Sequence, residues 1–166
     1  MFTQPYWIEW HGTGRLGVSP RPRGGDWLED EMKAWRAGGV DVVVSLLTCD
    51  EAADLMVESE AGFCKSAGMV FRSFPIEDRG VPNSANDADA LLQELTESLR
   101  AGKTVLIHCR QGIGRSGLIA VALLTLIGQH IENAVAAVSR ARGLTVPETE
   151  GQLAWLKTYA EIAPKP

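Results

Sequence analysis

Hydrophobic positions along the chain change period several times, and each change marks the border of an element. Val40–Leu47 (VDVVVSLL) is β-branched and apolar on both faces, which predicts a buried parallel strand. Met69–Phe74 and Thr104–His108 (TVLIH) show the same character over shorter runs. Between these runs the spacing is helical. Leu28, Met32 and Trp35 follow Asp26, a candidate N-cap, and stop at Gly38-Gly39; residues 49–67 carry a weaker, broken helical pattern ending at Gly68. Leu91, Leu92, Leu95 and Leu99 line one side of a helix over Asp87–Arg100, closed by Gly102. Residues 116–127 are apolar all round, the mark of a helix inside the core, and Ile131–Arg142 and Thr149–Ile162 form two more, separated by GLTVPE. Near the start, Tyr6–Glu9 and Arg15–Ser19 read as short strands or turns among Gly and Pro, and Pro75–Asn86 (PIEDRGVPNSAN) as a loop.

Strands alternating with helices predict an α/β fold: a central, mainly parallel sheet of four to five strands flanked by helices, one domain over residues 1–166 without repeat or linker. Composition adds limits. With 45% hydrophobic and 22% charged residues the chain is globular in balance, and its net charge of −5 offers no general attraction to nucleic acid or an anionic membrane. Any anion it binds needs a local positive site. Cys49, Cys64 and Cys109 are too few for a disulfide framework and fit a reducing compartment. The start MFTQPYWIEW lacks a signal-peptide pattern, and the longest apolar run, Gly117–Ile127, falls short of the roughly 20 residues of a membrane helix. A soluble cytoplasmic protein is the expectation.

Residues 108–117 (HCRQGIGRSG) join a strand to a helix, where ligands sit in open α/β sheets. Gly112, Gly114 and Gly117 let the backbone curl with N–H groups inward, and the helix starting near Ser116 adds free N–H groups and a positive dipole end. Arg110, Gln111, Gly112, Ile113, Gly114 and Arg115 thus form a cradle for a tetrahedral oxyanion, which Arg115 grips bidentately. Cys109, at the base of the cradle, is aimed at the anion's central atom, and its surroundings favour the thiolate. In-line attack on phosphorus follows, giving a cysteinyl-phosphate. Three other readings are weighed. The glycines spell the dinucleotide fingerprint G-x-G-x-x-G, but the segment after the helix, Gly128–Arg142, lacks the acidic strand end that motif expects; no Gly-Lys-Ser/Thr marks a nucleotide P-loop; and Cys109 as a core thiol ignores its pairing with Arg115 across the glycines. A leaving phenolate or alkoxide calls for a general acid, and Glu77 and Asp78 in FPIEDRGVP are adjacent candidates that bare chemistry does not separate. His108, Cys109, His11 and His130 lack zinc-ligand spacing, so no metal and no cofactor are expected.

HCRQGIGRSG resembles the His-Cys-x5-Arg-Ser/Thr signature of cysteine-dependent protein phosphatases, and its place in the C-terminal half of a small chain resembles the dual-specificity group. YWIEWHGTGRLGVSPRP is similar to the N-terminal strands and loop of small atypical members, and PETEGQ to their C-terminal Glu-Thr-x-x-Gln segment. The resemblance implies a protein-tyrosine phosphatase-like fold and a phosphorylated protein or peptide as substrate. It assigns the proton to Asp78, from a Pro-x-(Asp/Glu)-Asp-Gly loop in which Arg79 replaces the usual glycine. It implies that Ser116 steadies the departing thiolate, that His108 supports the loop, and that Gln152 positions water, although Gln152 also reads as an exposed helix residue. The sequence has no counterpart to the deep-pocket recognition loop of the large tyrosine phosphatases, and residues 1–25 stand as its replacement. There Trp7, Trp10, Arg21 and Arg23 either touch substrate or, taken singly, more simply pack the sheet edge and face water; a shallow cleft would admit phosphotyrosine as well as phosphoserine or phosphothreonine. The alternatives are a phosphoinositide phosphatase of the same superfamily and a phosphoprotein-binding module without turnover. Cys49 reads as a core thiol; in regenerating-liver phosphatases and the tumour-suppressor lipid phosphatase a cysteine in a similar context bonds the nucleophile under oxidation, which makes Cys49 a candidate redox partner of Cys109.

Overall fold

Five strands build one sheet in the computed structural model, which describes residues 1–163. They are β1 (Tyr6–Ile8), β2 (Arg15–Ser19), β3 (Val42–Ser45), β4 (Val70–Ser73) and β5 (Thr104–His108), in the order β1-β2-β5-β3-β4. Only β1 runs antiparallel to its neighbour; the other pairs are parallel. β5 lies at the centre, with His108 level with Ser19 on one side and Ser45 on the other, so the sheet delivers Cys109 to the carboxyl edge between two flanking strands.

Alternation along the strands separates two cores. Val42, Val44, Val105 and Ile107 face one side and pack with α4 (Ala85–Arg100), α5 (Gly114–Leu126), α6 (Ile131–Arg142) and α7 (Glu150–Ile162). Val43 and Leu106 face the other side and meet Leu28, Met32 and Trp35 of α1 (Leu28–Ala37) and Cys64 of α3 (Glu60–Ser66). Residues 114–124 of α5 are buried without exception, as the all-round apolar pattern requires.

Several borders differ from the sequence reading, each for a local reason. Asp26 does not cap α1: it lies in a 3-10 turn, Gly25–Trp27, entered through Gly25 at φ 60°, and no side chain caps either helix start. The run 49–67 divides into α2 (Cys49–Asp54) and α3, because Met56 takes φ 56° and the next residue, Val57, is buried. Thr48 and Glu51 cap α2 reciprocally, and Thr149 and Gln152 do the same for α7. Helix α5 starts at Gly114, two residues before the expected start, so Arg115 and Ser116 lie inside its first turn.

Candidate active site

The strand-to-helix turn closes on itself. Gly112 takes φ 68°, and a Cβ there would lie 2.5 Å from the carbonyl carbon of Ser19 and 2.6 Å from the nitrogen of Pro20, so no other residue fits without moving backbone. In this conformation the Gly112 N–H donates to Cys109 Sγ at 3.3 Å, and Ser116 Oγ lies 3.4 Å from the same sulfur. From outside, Arg142 donates through Nε to the Gly112 carbonyl (2.9 Å) and through Nη2 to the Gln111 carbonyl (3.1 Å), its guanidinium lying 4.3 Å above the Tyr6 ring. With these carbonyls held outward, the loop keeps its N–H groups for the interior. Ile113 is the half-buried residue that precedes α5.

Arg115 is 2% exposed. Its Nη1 donates to Glu51 Oε2 (2.7 Å) and the Ile76 carbonyl (2.9 Å), and its Nη2 to Glu51 Oε1 (2.9 Å), with Asp78 Oδ1 3.3 Å from Nη2. Glu51 also receives Arg110 Nε at 3.3 Å. Burial works against the charge on Glu51, but hydrogen bonds from Arg115 and the Thr48 N–H, with the positive charge of Arg115, outweigh it and bring its pKa down to about 2. Burial likewise opposes the charge on Arg115, and Glu51, Cys109 and Asp78 reverse the balance, raising its pKa above the usual arginine value. The guanidinium is therefore a fixed cation whose remaining donors point at the cavity.

His108 is fully buried; Nε2 meets Glu60 Oε1 at 2.9 Å and Nδ1 lies 3.4 Å from the Cys109 carbonyl. On the loop between β4 and α4, Glu77 and Asp78 are both exposed, but only Asp78 faces the site: the cavity of about 130 Å³ is lined by Asp78, Arg79 and Glu148 together with Cys109, Arg110, Gln111, Gly114 and Arg115. Arg79 takes φ 62°, the left-handed conformation that suits glycine, and Nη1 pairs with Glu148 Oε1 at 3.2 Å. Gln152 is wholly buried, which removes the exposed-residue reading. Its Oε1 accepts the Glu148 and Thr149 N–H groups, and its Nε2 donates to the Gly80 carbonyl at 3.0 Å, tying the loop behind Asp78 to the start of α7.

Cys49 corrects another reading. It is exposed at the first residue of α2 and does not line the cavity, and the apolar core thiol is Cys64, whose pKa burial and the Glu60 carboxylate push up to about 12. Glu51, Glu60, Arg142 and Glu148 support the site without having been singled out from the sequence. Two of them carried a local signal: Glu51 in the Thr48-x-x-Glu51 capping box, and Glu148 at the head of the Glu-Thr-x-x-Gln segment. Among the described residues no group of three or more His, Cys, Asp or Glu side chains is placed to hold a metal ion, and no helix is long and apolar enough to cross a membrane.

Known proteins resemble this chain in sequence or in fold. Cyclin-dependent kinase inhibitor 3 of Homo sapiens is 26% identical over 136 residues, 81% of this chain and 64% of that protein. Protein tyrosine phosphatase domain-containing protein 1 of Bos taurus is 26% identical over 139 residues, 79% of this chain and 17% of that one. The chain thus spans less than two thirds of the length of these relatives. A crystal structure of kinase associated phosphatase, its catalytic site cysteine substituted by serine, superposes with a TM-score of 0.88 at 21% identity, covering 97% of this chain and 96% of the other. Tk-PTP in its active form gives 0.77 at 30% identity, covering 95% and 97%. The family model for the DSP-PTPase phosphatase of polymorphic toxin systems (Tc-R-P) matches residues 17–129, more than half of the chain, and the chain belongs to that family.

Proposed function

We propose that the protein is a cytoplasmic, metal-independent protein phosphatase that hydrolyses phosphotyrosine, and also phosphoserine and phosphothreonine, through a cysteinyl-phosphate. One observation carries the reading: a sulfur that accepts a backbone N–H and sits beside a hydroxyl opens into the same small cavity as a buried arginine and an exposed carboxylate. The Cys109 sulfur attacks phosphorus while inward N–H groups hold the equatorial oxygens. Arg115 has spent four donor contacts on Glu51 and the Ile76 and Leu46 carbonyls, three of them from Nη1, which leaves Nε and the Nη2 edge now facing Asp78 for two phosphate oxygens. As phosphate takes that edge, Asp78 leaves the guanidinium, takes up a proton from solvent or from the phosphate monoanion and passes it to the leaving oxygen; it then takes a proton from the water that releases phosphate from sulfur. Ser116 donates to the departing thiolate. Gln152, whose side chain is committed to the Gly80 carbonyl and two N–H groups, positions the acid loop in this resting geometry rather than a water.

Cys49, free and exposed, serves as the resolving thiol after oxidation: peroxide converts Cys109 to a sulfenic acid, and Cys49 displaces water from it to form a disulfide. Peptide mapping after mild peroxide tests this, and over-oxidised Cys109 with no cross-linked peptide overturns it. The main reading is tested by turnover of a phosphotyrosine peptide, a phosphothreonine peptide and a phosphoinositide in the presence of a chelator, with Cys109→Ser as control. Peptide turnover lost in the control is the expected result. Turnover of the lipid alone moves the substrate to phosphoinositides, and binding without turnover makes the chain a phosphoprotein-binding module.

A further inference from the structure

Beside the catalytic cavity lies a second, open depression of about 650 Å³, and the two share Arg110 and Gln111 in their walls. Four arginines line it, Arg21, Arg23, Arg110 and Arg142, and no acidic residue does, although the chain holds 21 Asp and Glu against 16 Lys and Arg. We propose that this arginine shelf binds a second anionic side chain of a phosphorylated peptide substrate, a carboxylate or a further phosphate close in sequence to the residue being dephosphorylated. The proposal rests on the protein-phosphatase reading above and narrows its substrate class to acidic or multiply phosphorylated peptides.

Three of the four guanidiniums are anchored by one edge with the other edge spare. Arg23 gives Nε to the buried Glu31 and lies over the Phe2 and Trp27 rings, 5.4 Å and 4.8 Å from their centres. Arg110 gives Nε to Glu51, and Arg142 gives Nε and Nη2 to the phosphate-loop carbonyls. Such cations are already ordered, so an incoming anion loses little to freezing long side chains. Arg21 has no carboxylate partner among the described residues; its only side-chain hydrogen bond runs from Nη1 to the carbonyl of the next residue, Pro22. Its backbone N–H donates to the Arg110 carbonyl at 3.2 Å, which fixes the segment against the phosphate loop. Anchoring Arg21 there places unpaired positive charge next to the cavity of a protein that is negative overall. The rings of Phe2 and Tyr6 line the same depression and supply apolar surface for the stem of a peptide side chain. A peptide, with phosphate in the cavity, has only to cross Arg110 and Gln111 to reach the shelf.

The test compares kcat/KM for p-nitrophenyl phosphate, for a phosphotyrosine peptide flanked by alanines, and for the same peptide carrying glutamate or a second phosphotyrosine at each position within three residues. At least one acidic position is expected to raise kcat/KM about tenfold, the effect of one charge-assisted contact. In Arg21→Glu that gain falls below about twofold while p-nitrophenyl phosphate turns over as before. Equal rates on neutral and acidic peptides, or a gain that survives Arg21→Glu, overturns the shelf and leaves the phosphatase reading intact. Dependence on Arg21 for phosphoinositide vesicles but for no peptide overturns it in favour of a lipid headgroup. If no phosphoester is turned over, the phosphatase reading falls, and calorimetric binding of the doubly anionic peptide to Cys109→Ser, with and without Arg21→Glu, still decides the shelf: tighter binding lost in the double variant supports it, and unchanged binding overturns it.

Discussion

The phosphate loop and the acid loop meet at one cavity but are held on opposite terms. The first is pinned from every direction: Gly112 packs against the backbone of Ser19 and Pro20, Arg142 clamps two carbonyls from outside, and Arg115 is buried on a carboxylate and a carbonyl. The second is fastened firmly at its ends, and between them only by ion pairs of its exposed side chains, Asp78 to Arg115 and Arg79 to Glu148. Buried Ile76 precedes it and the Gly80 carbonyl rests on Gln152, while Glu77, Asp78 and Arg79 between them stand in water. On the proposed mechanism, the group that recognises charge is set before the ligand arrives, and the group that gives and takes a proton keeps its freedom.

The largest effect that separates these regions is expected from Cys109→Ser, which removes the nucleophile and lowers kcat on p-nitrophenyl phosphate by roughly 10⁵-fold or more, read by single-turnover kinetics. Asp78→Asn comes next: kcat on a phosphotyrosine peptide falls about 10²- to 10³-fold, but far less on p-nitrophenyl phosphate, whose leaving group needs no proton. An equal loss on both substrates would mean that Asp78 holds the cavity together rather than supplying the acid. Glu51→Gln probes the rigid side. Because the folded state holds Glu51 near 2, its stabilisation is in full force above the ordinary carboxylate value of 4.5 and disappears as pH falls through about 2. The variant is therefore expected to lose on the order of 3 kcal/mol at pH 7, and its urea midpoint to converge on that of the parent between pH 4.5 and 2. Arg79→Gly is the mildest change. It relieves a left-handed arginine and deletes an ion pair whose partners are 61% and 34% exposed, so melting shifts by less than about 1 kcal/mol in equivalent free energy and kcat by no more than a few-fold.

How far the sequence was legible follows the same division between local and distant causes. Thr104–His108 and Ile131–Arg142 lie where the apolar pattern puts them, because each carries its own period and its own stop signals. Cys109, Arg115 and Ser116 fall together for a related reason: one strand, one turn and the first turn of a helix suffice to assemble them. Asp26 misled, since a glycine-led 3-10 turn needs no side-chain cap and looks like a helix start in sequence. The partners that hold the site are less accessible still. Glu51 reaches Arg115 across 64 positions, Glu60 reaches His108 across 48, and Arg142 reaches Gly112 across 30. No local period encodes such a distance; it is set by how α2, α3 and α6 pack on the two faces of the sheet. Arg79 lay between these cases, visible as a departure from the family's glycine but silent about its ion pair with Glu148.

Helix α5 is surrounded on every side along its first eleven residues, and its N-terminal turn carries Arg115. Beyond that turn the backbone amides are hydrogen-bonded inside the core, so their deuterium uptake follows openings close to global unfolding. On the proposed mechanism, uptake that changes when phosphate or vanadate is added is expected between Glu77 and Gly80 and in the cradle of residues 110–115, while the rest of α5 stays silent. The buried body of α5 is then a stationary anvil, and the short acid segment is the part that moves against it on that mechanism.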